Sequence, residues 1–242
     1  VLDEAINRVA TIYEEGHRIV VSFSTGKDST VLLEVCIMAA QMTGNLPVDV
    51  VLRDEELMFP GTYEFAERTA QRPEVRMTWL VANQPIINVY DRVNPYFWVM
   101  DPSLSPSDWM REPPSWAQNI KEQHIEAMTH PDRFPIEAGQ KLYAAIGLRT
   151  DESRHRLYGL FTSGGYITKP NRYKVANIRP IYDWTNKDVW KLIKELNLDY
   201  NRAYDVMLRN RITLPVMRIG PPTMNPYGCL LYTSPSPRDI MR

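Results

Sequence analysis

Apolar Leu2, Ala5, Ile6, Val9 and Ile12 recur at helical spacing along residues 2–15, and Gly16 supplies a stop. Residues 18–24 follow as a short β-branched run without polar alternation, the pattern of a central parallel strand covered on both faces. A glycine turn leads into a helix from Asp28 to about Thr43, ended by Gly44-Asn45. Residues 48–52 read as the second strand. Residues 62–71 read as the next helix with Thr62 as N-cap, and residues 75–81 as a third, partly alternating strand. Strands alternating with helices imply a parallel sheet with right-handed crossovers.

The texture changes between about residues 83 and 135, where prolines break the chain and Trp98, Trp109 and Trp116 stud it. This reads as an insertion, with a helix expected around residues 116–128. Residues 143–149 restore the sheet, residues 151–161 look helical, and a Gly/Lys/Arg-rich stretch at 162–174 leads to a fifth strand at 175–181. A last helix runs from Thr185 to Leu196, with Thr185 as N-cap and Asp188 completing an approximate capping box. The expected fold is α/β, a Rossmann-like open, mostly parallel five-stranded sheet with helices on both faces.

Composition narrows the classes of function. The 242 residues are enough for one large domain, and 28 basic against 29 acidic side chains leave a net charge of −1. No global field draws the chain to nucleic acid or to an anionic membrane, so strong unaided nucleic-acid binding is not expected. The longest apolar stretch, residues 31–40, falls short of the ~20 residues of a membrane span. The two cysteines, Cys36 and Cys229, form no CxxC pair, which points to a reducing, cytoplasmic setting. The chain opens on Val1, and residues 229–242 resemble translated adapter read-through. The native domain is therefore expected to span residues 1–228 of a longer protein.

The chemistry concentrates after the first strand. Gly26 permits a tight turn, and the helix beginning near Asp28 offers unpaired N–H groups and a partial positive end, which together make a phosphate site. Lys27 adds an ammonium; Ser22, Ser24, Thr25, Ser29 and Thr30 add hydroxyls. Asp28 sits awkwardly beside phosphate, and either caps the helix or helps to hold Mg2+. The spacing excludes a Walker A loop, since Asp28 follows Lys27 and no glycine stands five positions before Gly26.

Ser22-x-Ser24-Thr25-Gly26-Lys27-Asp28-Ser29 after a buried strand resembles the PP-loop of ATP pyrophosphatases and phosphoadenosine phosphosulfate (PAPS) reductases, with Thr25 where many members have glycine. Threonine there is tolerable with negative φ. Gly147-Leu-Arg149-x-x-Glu152-Ser153-Arg154-x-Arg156 and Pro180-x-x-Asp183-Trp184-Thr185-x-x-Asp188-Val-Trp190 resemble two further elements of the PAPS-reductase-like family. Asp54-Glu55-Glu56 with Phe59-Pro60-x-Thr62-Tyr63 resembles a third, so the likeness covers about residues 15–225.

The resemblance implies an adenine nucleotide, ATP or PAPS, as ligand. Asp54 is placed at the ligand-binding edge of the sheet, and Arg149, Arg154 and Arg156 are the candidates for a second anion clamp. Lys169, Arg172 and Lys174 belong either to a loop closing over phosphates or to a solvated loop. A PAPS reductase needs a thiolate late in the chain, where only Cys229 stands, in the suspected tail. Adenylyl transfer from ATP, with Lys27, Asp28 and Arg149 as catalytic residues and Mg2+ at Asp28, is therefore the favoured expectation. A reductase truncated of its cysteine, and a nucleotide-sensing regulator or subunit of a nucleic-acid-modifying complex, are the alternatives. Cysteine-lacking relatives of this kind occur in phages and mobile elements, which would place the protein in a host cytoplasm. A protein partner or a homodimer is left open.

Overall fold

A computed structural model describes residues 1–88, 91–120 and 128–220. Most of the expected helix at 116–128, together with Cys229 and the closing tail, lies outside the described residues. The elements are α1 (Leu2–Glu14), β1 (Arg18–Ser22), α2 (Lys27–Thr43), β2 (Val48–Asp54), α3 (Thr62–Ala70), β3 (Val75–Ala82), β4 (Pro85–Ile87), β5 (Tyr96–Trp98), β6 (Gln118–Ile120), β7 (Leu142–Ala145), α4 (Arg154–Thr162), β8 (Val175–Ile178), α5 (Asn186–Glu195) and α6 (Ala203–Arg209).

Six strands pair in the order β6-β3-β2-β1-β7-β8, every pair parallel. The expected five-strand sheet gains β6, which comes from the insertion, where a helix was expected from residue 116 onward. Leu80, Val81 and Ala82 at the end of β3 leave an edge that Gln118, Asn119 and Ile120 fill. The insertion also contributes the antiparallel β4–β5 hairpin.

Successive side chains of β1 separate two cores. Ile19 and Val21 join the larger one, with Val9 and Ile12 of α1, Val31 and Val35 of α2, Phe65 of α3 and Val189 of α5. Val20 faces the other way, onto Val51, Leu80, Leu142 and Val175, covered by Met128 and Phe134. A strand buried on both faces has no polar alternation, which is why residues 18–22 read as they do.

Helix ends follow local chemistry. Gly44 takes φ 73° as the C-cap of α2, and Thr185 and Asp188 form the complete capping box of α5. Two expectations are corrected. The N-cap of α3 is Gly61 at φ 82°, because the Thr62 hydroxyl is turned to accept from Asn201 (2.9 Å). The helix expected from residue 151 begins at Arg154, with Ser153 as its cap.

The sheet order reverses at β1, which has β2 on one side and β7 on the other. Ligands of open α/β sheets bind at the carboxyl end of the strands at such a switch point. The PP-loop segment lies there. Asp49, held by Arg18 (2.8 Å) and Arg76 (2.6 Å), braces adjacent strands β1, β2 and β3 away from that edge.

Candidate functional site

Residues 23–26 connect β1 to α2, and the turn is made at Thr25, with φ 59°, while Gly26 is extended (φ −76°, ψ 157°) as the helix N-cap. The expectation of a negative φ at Thr25 is thus corrected. A buried β-branched residue in the left-handed region is strained, and its hydroxyl is turned back onto the Ser24 carbonyl (2.6 Å).

The loop's other hydroxyls are largely spent on the loop itself. Ser29 Oγ donates to the Gly26 carbonyl (3.0 Å), as does Thr30 Oγ1 (2.9 Å), and Ser29 Oγ accepts from the Ser24 amide (3.2 Å). Ser24 is exposed, and Ser22, Ser24 and Thr25 face a cavity of about 510 Å3. Phe23, Leu52, Met58, Tyr63 and Ile146 make this cavity largely apolar, and Asn171, from the loop before β8, reaches it too. Its size suits a nucleoside.

On the far side of the loop the site is charged. Lys27 is buried, its ammonium 3.0 Å from Asp28 and 3.4 Å from the Met217 carbonyl, while its backbone N–H donates to the Tyr204 hydroxyl (2.9 Å). Burial pulls the Lys27 pKa below the ordinary lysine value, although Asp28 opposes it. Asp28 receives Arg149 Nε (2.6 Å) on its other oxygen. Arg149, only 2% exposed, also approaches Asp151 (3.4 Å) and the Trp184 carbonyl (3.2 Å). It ties α2 to the Gly147 and Trp184 segments instead of standing exposed as an anion clamp.

Arg154 is exposed at the start of α4. Arg156 pairs with Glu152, which also takes Arg218 (3.2 Å), and burial followed by repulsion from Arg218 lowers the Arg156 pKa. Lys27, Arg149, Arg156 and Arg218 therefore sit together against Asp28, Asp151 and Glu152. Local spacing gave no signal for Arg218 or Tyr204, which reach the loop from the far end of the chain.

Gly147 has a physical reason. A Cβ there would come within 3.0 Å of the Asp28 carbonyl carbon and 3.1 Å of the Ser29 nitrogen. The residue lets the exit of β7 pack directly on the first turn of α2.

Asp54 is placed differently from expectation. It is fully buried, accepts from Trp79 Nε1 (2.8 Å), Arg111 (2.6 Å) and the Glu56 amide (2.8 Å), and is not among the residues lining the cavity. Glu56 accepts from the amides of Met100 and Met110, so Asp54 and Glu56 together anchor the insertion. Arg111 completes this anchor by stacking 3.8 Å over Tyr63. Glu55, between them, lines the cavity and pairs with Arg53 (2.8 Å).

The donor set does not fit a resident magnesium ion. Both Asp28 oxygens already face cations, and among the described residues no three His, Cys, Asp or Glu side chains are grouped so that they could hold a metal ion. Asp183 holds Arg8 in a two-pronged pair (2.8 and 2.6 Å), tying α1 to the segment before α5. Cys36 is buried in α2, where burial pushes its thiol up.

The family model described as "Phosphoadenosine phosphosulfate reductase domain" matches residues 18–220. The chain belongs to this family. Among curated relatives of the PAPS reductase domain, an adenosine 5'-phosphosulfate reductase of Staphylococcus haemolyticus is 25% identical over 193 residues, covering 78% of this chain and 66% of that protein. A phosphoadenosine 5'-phosphosulfate reductase of Xylella fastidiosa is 25% identical over 205 residues, covering 83% and 73%. The Candida glabrata FMN adenylyltransferase, solved with FAD and inorganic pyrophosphate, shares the fold at a TM-score of 0.54 and 15% identity, covering 84% of this chain and 59% of its own. The chain thus spans just under two thirds of the staphylococcal relative's length. No described helix is long and apolar enough to cross a membrane.

Proposed function

We propose that this chain binds an adenine nucleotide across the PP-loop, with the nucleoside in the apolar cavity and the phosphates toward Lys27, and cleaves at the α-phosphate by adenylyl transfer. The observation that carries this is the asymmetry of the loop, with a nucleoside-sized cavity on one side and a group of cations on the other. In the reaction an acceptor oxygen attacks the α-phosphorus, the bond from that phosphorus to the pyrophosphate oxygen breaks, and pyrophosphate leaves with the electron pair. Positioning and charge neutralisation suffice for this step. Lys27 would meet the leaving phosphates, and Asp28 and Arg149 would hold Lys27 and the start of α2 in register. Arg154 and Arg156 would orient an anionic acceptor at the edge of the site. Magnesium would arrive as the nucleotide's own counter-ion.

Pyrophosphate release from ATP, with the label of [α-32P]ATP passing to an acceptor, tests the reading. The activity is expected in the wild-type chain and lost in Lys27→Ala; a Lys27→Ala protein that retains full turnover overturns it.

A thiol-dependent reductase is the second reading, favoured by the reductases among the relatives. Cys36 cannot serve it, being buried with a raised pKa. The reading then depends on Cys229, outside the described residues, or on a thiol supplied by another molecule. Sulfite release from adenosine phosphosulfate in the presence of a dithiol, abolished by Cys229→Ser, would favour it.

A further inference from the structure

Residues 153–182, from the cap of α4 to just past β8, contain no aspartate or glutamate, in a chain that has 29. They carry six arginines and lysines interleaved with five aromatic residues. The carboxylates that bound the stretch in sequence, Glu152 and Asp183, are taken by Arg156 and Arg218 and by Arg8. A chain with a net charge of −1 thus has a locally basic surface.

Of the nine residues of α4 only Leu160 is buried. Arg154, Tyr158 and Phe161 stand four and three residues apart, hence on one face. Tyr158 and Phe161, at 68% and 75% exposure, are the most exposed aromatic side chains among the described residues. Adjacent bare rings mark a contact surface. Beyond α4 the chain turns at Gly164 and Gly165, runs antiparallel to β8 through the Ile167–Ile178 bridge, and reverses at residues 169–174. Because β8 ends the sheet, helix and turn lie at the two ends of one sheet edge, about 13 Å apart for four strand residues. Lys169 and Lys174, both exposed in that turn, have no ion-pair partner among the described residues, and neither has Arg154. Both ends meet the cavity: Glu152 holds Arg218, whose neighbours Ile219 and Gly220 line it, and so does Asn171 of the turn.

We propose that α4 and the 169–174 turn bind single-stranded nucleic acid along the β8 edge. Arg154, Lys169 and Lys174 contact backbone phosphates, and Tyr158 and Phe161 stack on bases, which a single strand offers and a duplex does not. An anionic bilayer is a poorer match, since binding there scales with buried apolar area and α4 exposes only Leu157, Tyr158 and Phe161. With no overall positive field to add to this surface, affinity is modest.

Fluorescence anisotropy of labelled oligo(U) and oligo(dT) of about 20 nucleotides, and of a duplex of equal length, titrated with the whole chain, tests this. No ATP is present, so the outcome is separate from the nucleotide reading. The single strands are expected to bind with a Kd on the order of 10 µM at about 50 mM salt, and about twentyfold more weakly at about 200 mM, the dependence for three phosphate contacts. The duplex is expected to bind at least about fivefold more weakly than either strand, and the tighter of the two strands names RNA or DNA as the ligand. Tyr158→Ala with Phe161→Ala should weaken binding about tenfold without changing the salt dependence, because stacking releases no counter-ions. Lys169→Gln with Lys174→Gln should instead flatten the logarithmic salt slope by about 1.4. All four side chains are exposed, so both proteins should keep the wild-type thermal midpoint. No binding of either strand at about 100 µM protein and about 50 mM salt overturns the proposal. So does an aromatic double variant that binds as the wild type does, or tighter binding to phosphatidylserine vesicles or to polyglutamate than to either strand.

Discussion

The two sides of the PP-loop present opposite environments from one short segment, residues 22–29. On the cavity side, Ser22, Ser24 and Thr25 face Phe23, Leu52, Met58 and Tyr63, and the only described charges cancel. On the other side, four cations and three carboxylates crowd around Lys27 and the start of α2. An apolar wall gains from a flat aromatic base and strips no charge in doing so, whereas a phosphate needs a place where positive charge is already assembled and held still. The difference teaches that the loop is less a clamp than a partition. Its hydroxyls mostly bond the loop to itself, and on the proposed reading discrimination comes from what stands on either side.

The sharpest way to break the charged side is Arg149→Met. Asp28 would keep Lys27 but lose a 2.6 Å partner that is itself buried, and removing one member of such a pair costs about 3–5 kcal/mol. Since Lys27 remains, a loss near 3 kcal/mol is expected in denaturant unfolding; a loss under about 1 kcal/mol would show that the pair does not hold the loop. Gly147→Ala comes next. Its Cβ would press on the peptide between Asp28 and Ser29 at 3.0–3.1 Å, so backbone must move. Overpacking of this kind costs about 1–3 kcal/mol. Because the moving backbone is the PP-loop itself, ATP affinity should fall by about tenfold while the far-ultraviolet dichroism of the whole chain stays native.

These two residues also mark how far the sequence could be read. The five strands, the helices α1, α2 and α5, and the PP-loop were legible because each depends on local pattern: an unbroken β-branched run, a 3.6-residue period, a capping box. Gly147 and Arg149 were legible only as parts of a motif, since nothing local says that one must touch Asp28's backbone and the other its side chain. Asp54 misled, because a carboxylate just past a parallel strand fits a ligand as well as it fits Arg111 and Trp79. Tyr204 and Arg218 were invisible, as both reach the loop from the far end of the chain, and β6 was hidden in a proline-rich stretch that lacks strand periodicity.

The charged side can also be tested by pH. Burial, which outweighs Asp28, sets the Lys27 pKa below the ordinary lysine value of 10.5, so its ammonium is lost earlier on the alkaline side. A phosphate that prefers the charged form should bind about tenfold more weakly once Lys27 is neutral. Unfolding driven by Lys27 itself would run against that decline. Between the depressed folded pKa and the unfolded one the unfolded chain holds more protons at this position, so this lysine makes the fold more stable as pH rises. Titrating ATP binding from neutral to alkaline pH should therefore show a loss that begins below 10.5. Lys27→Arg, which stays charged throughout, should flatten the curve, and an equal decline in that variant would assign the effect elsewhere.

The smallest effect concerns the residue that belongs to both sides. Thr25 lines the cavity and makes the turn that aims α2, at φ 59° and nearly without exposure. Glycine would adopt that φ without steric cost, whereas a β-branched residue is held there against a strain of about 1–2 kcal/mol. Against the relief stand the added freedom of glycine in the unfolded chain, about 0.5–1 kcal/mol, and the lost hydroxyl contact to the Ser24 carbonyl. Thr25→Gly should therefore raise unfolding stability only slightly, by about 0.5 kcal/mol. Its effect on affinity should run the other way. A looser turn must be ordered again when the nucleotide binds, which predicts a loss of about twofold in AMP affinity. A variant that gains both stability and affinity would mean that the threonine serves neither side of the loop; one that loses stability would mean that the hydroxyl contact outweighs the strain. The expected combination, a more stable protein that binds less well, would identify the strained turn as the fixed point from which the apolar and the charged halves of the site are both measured.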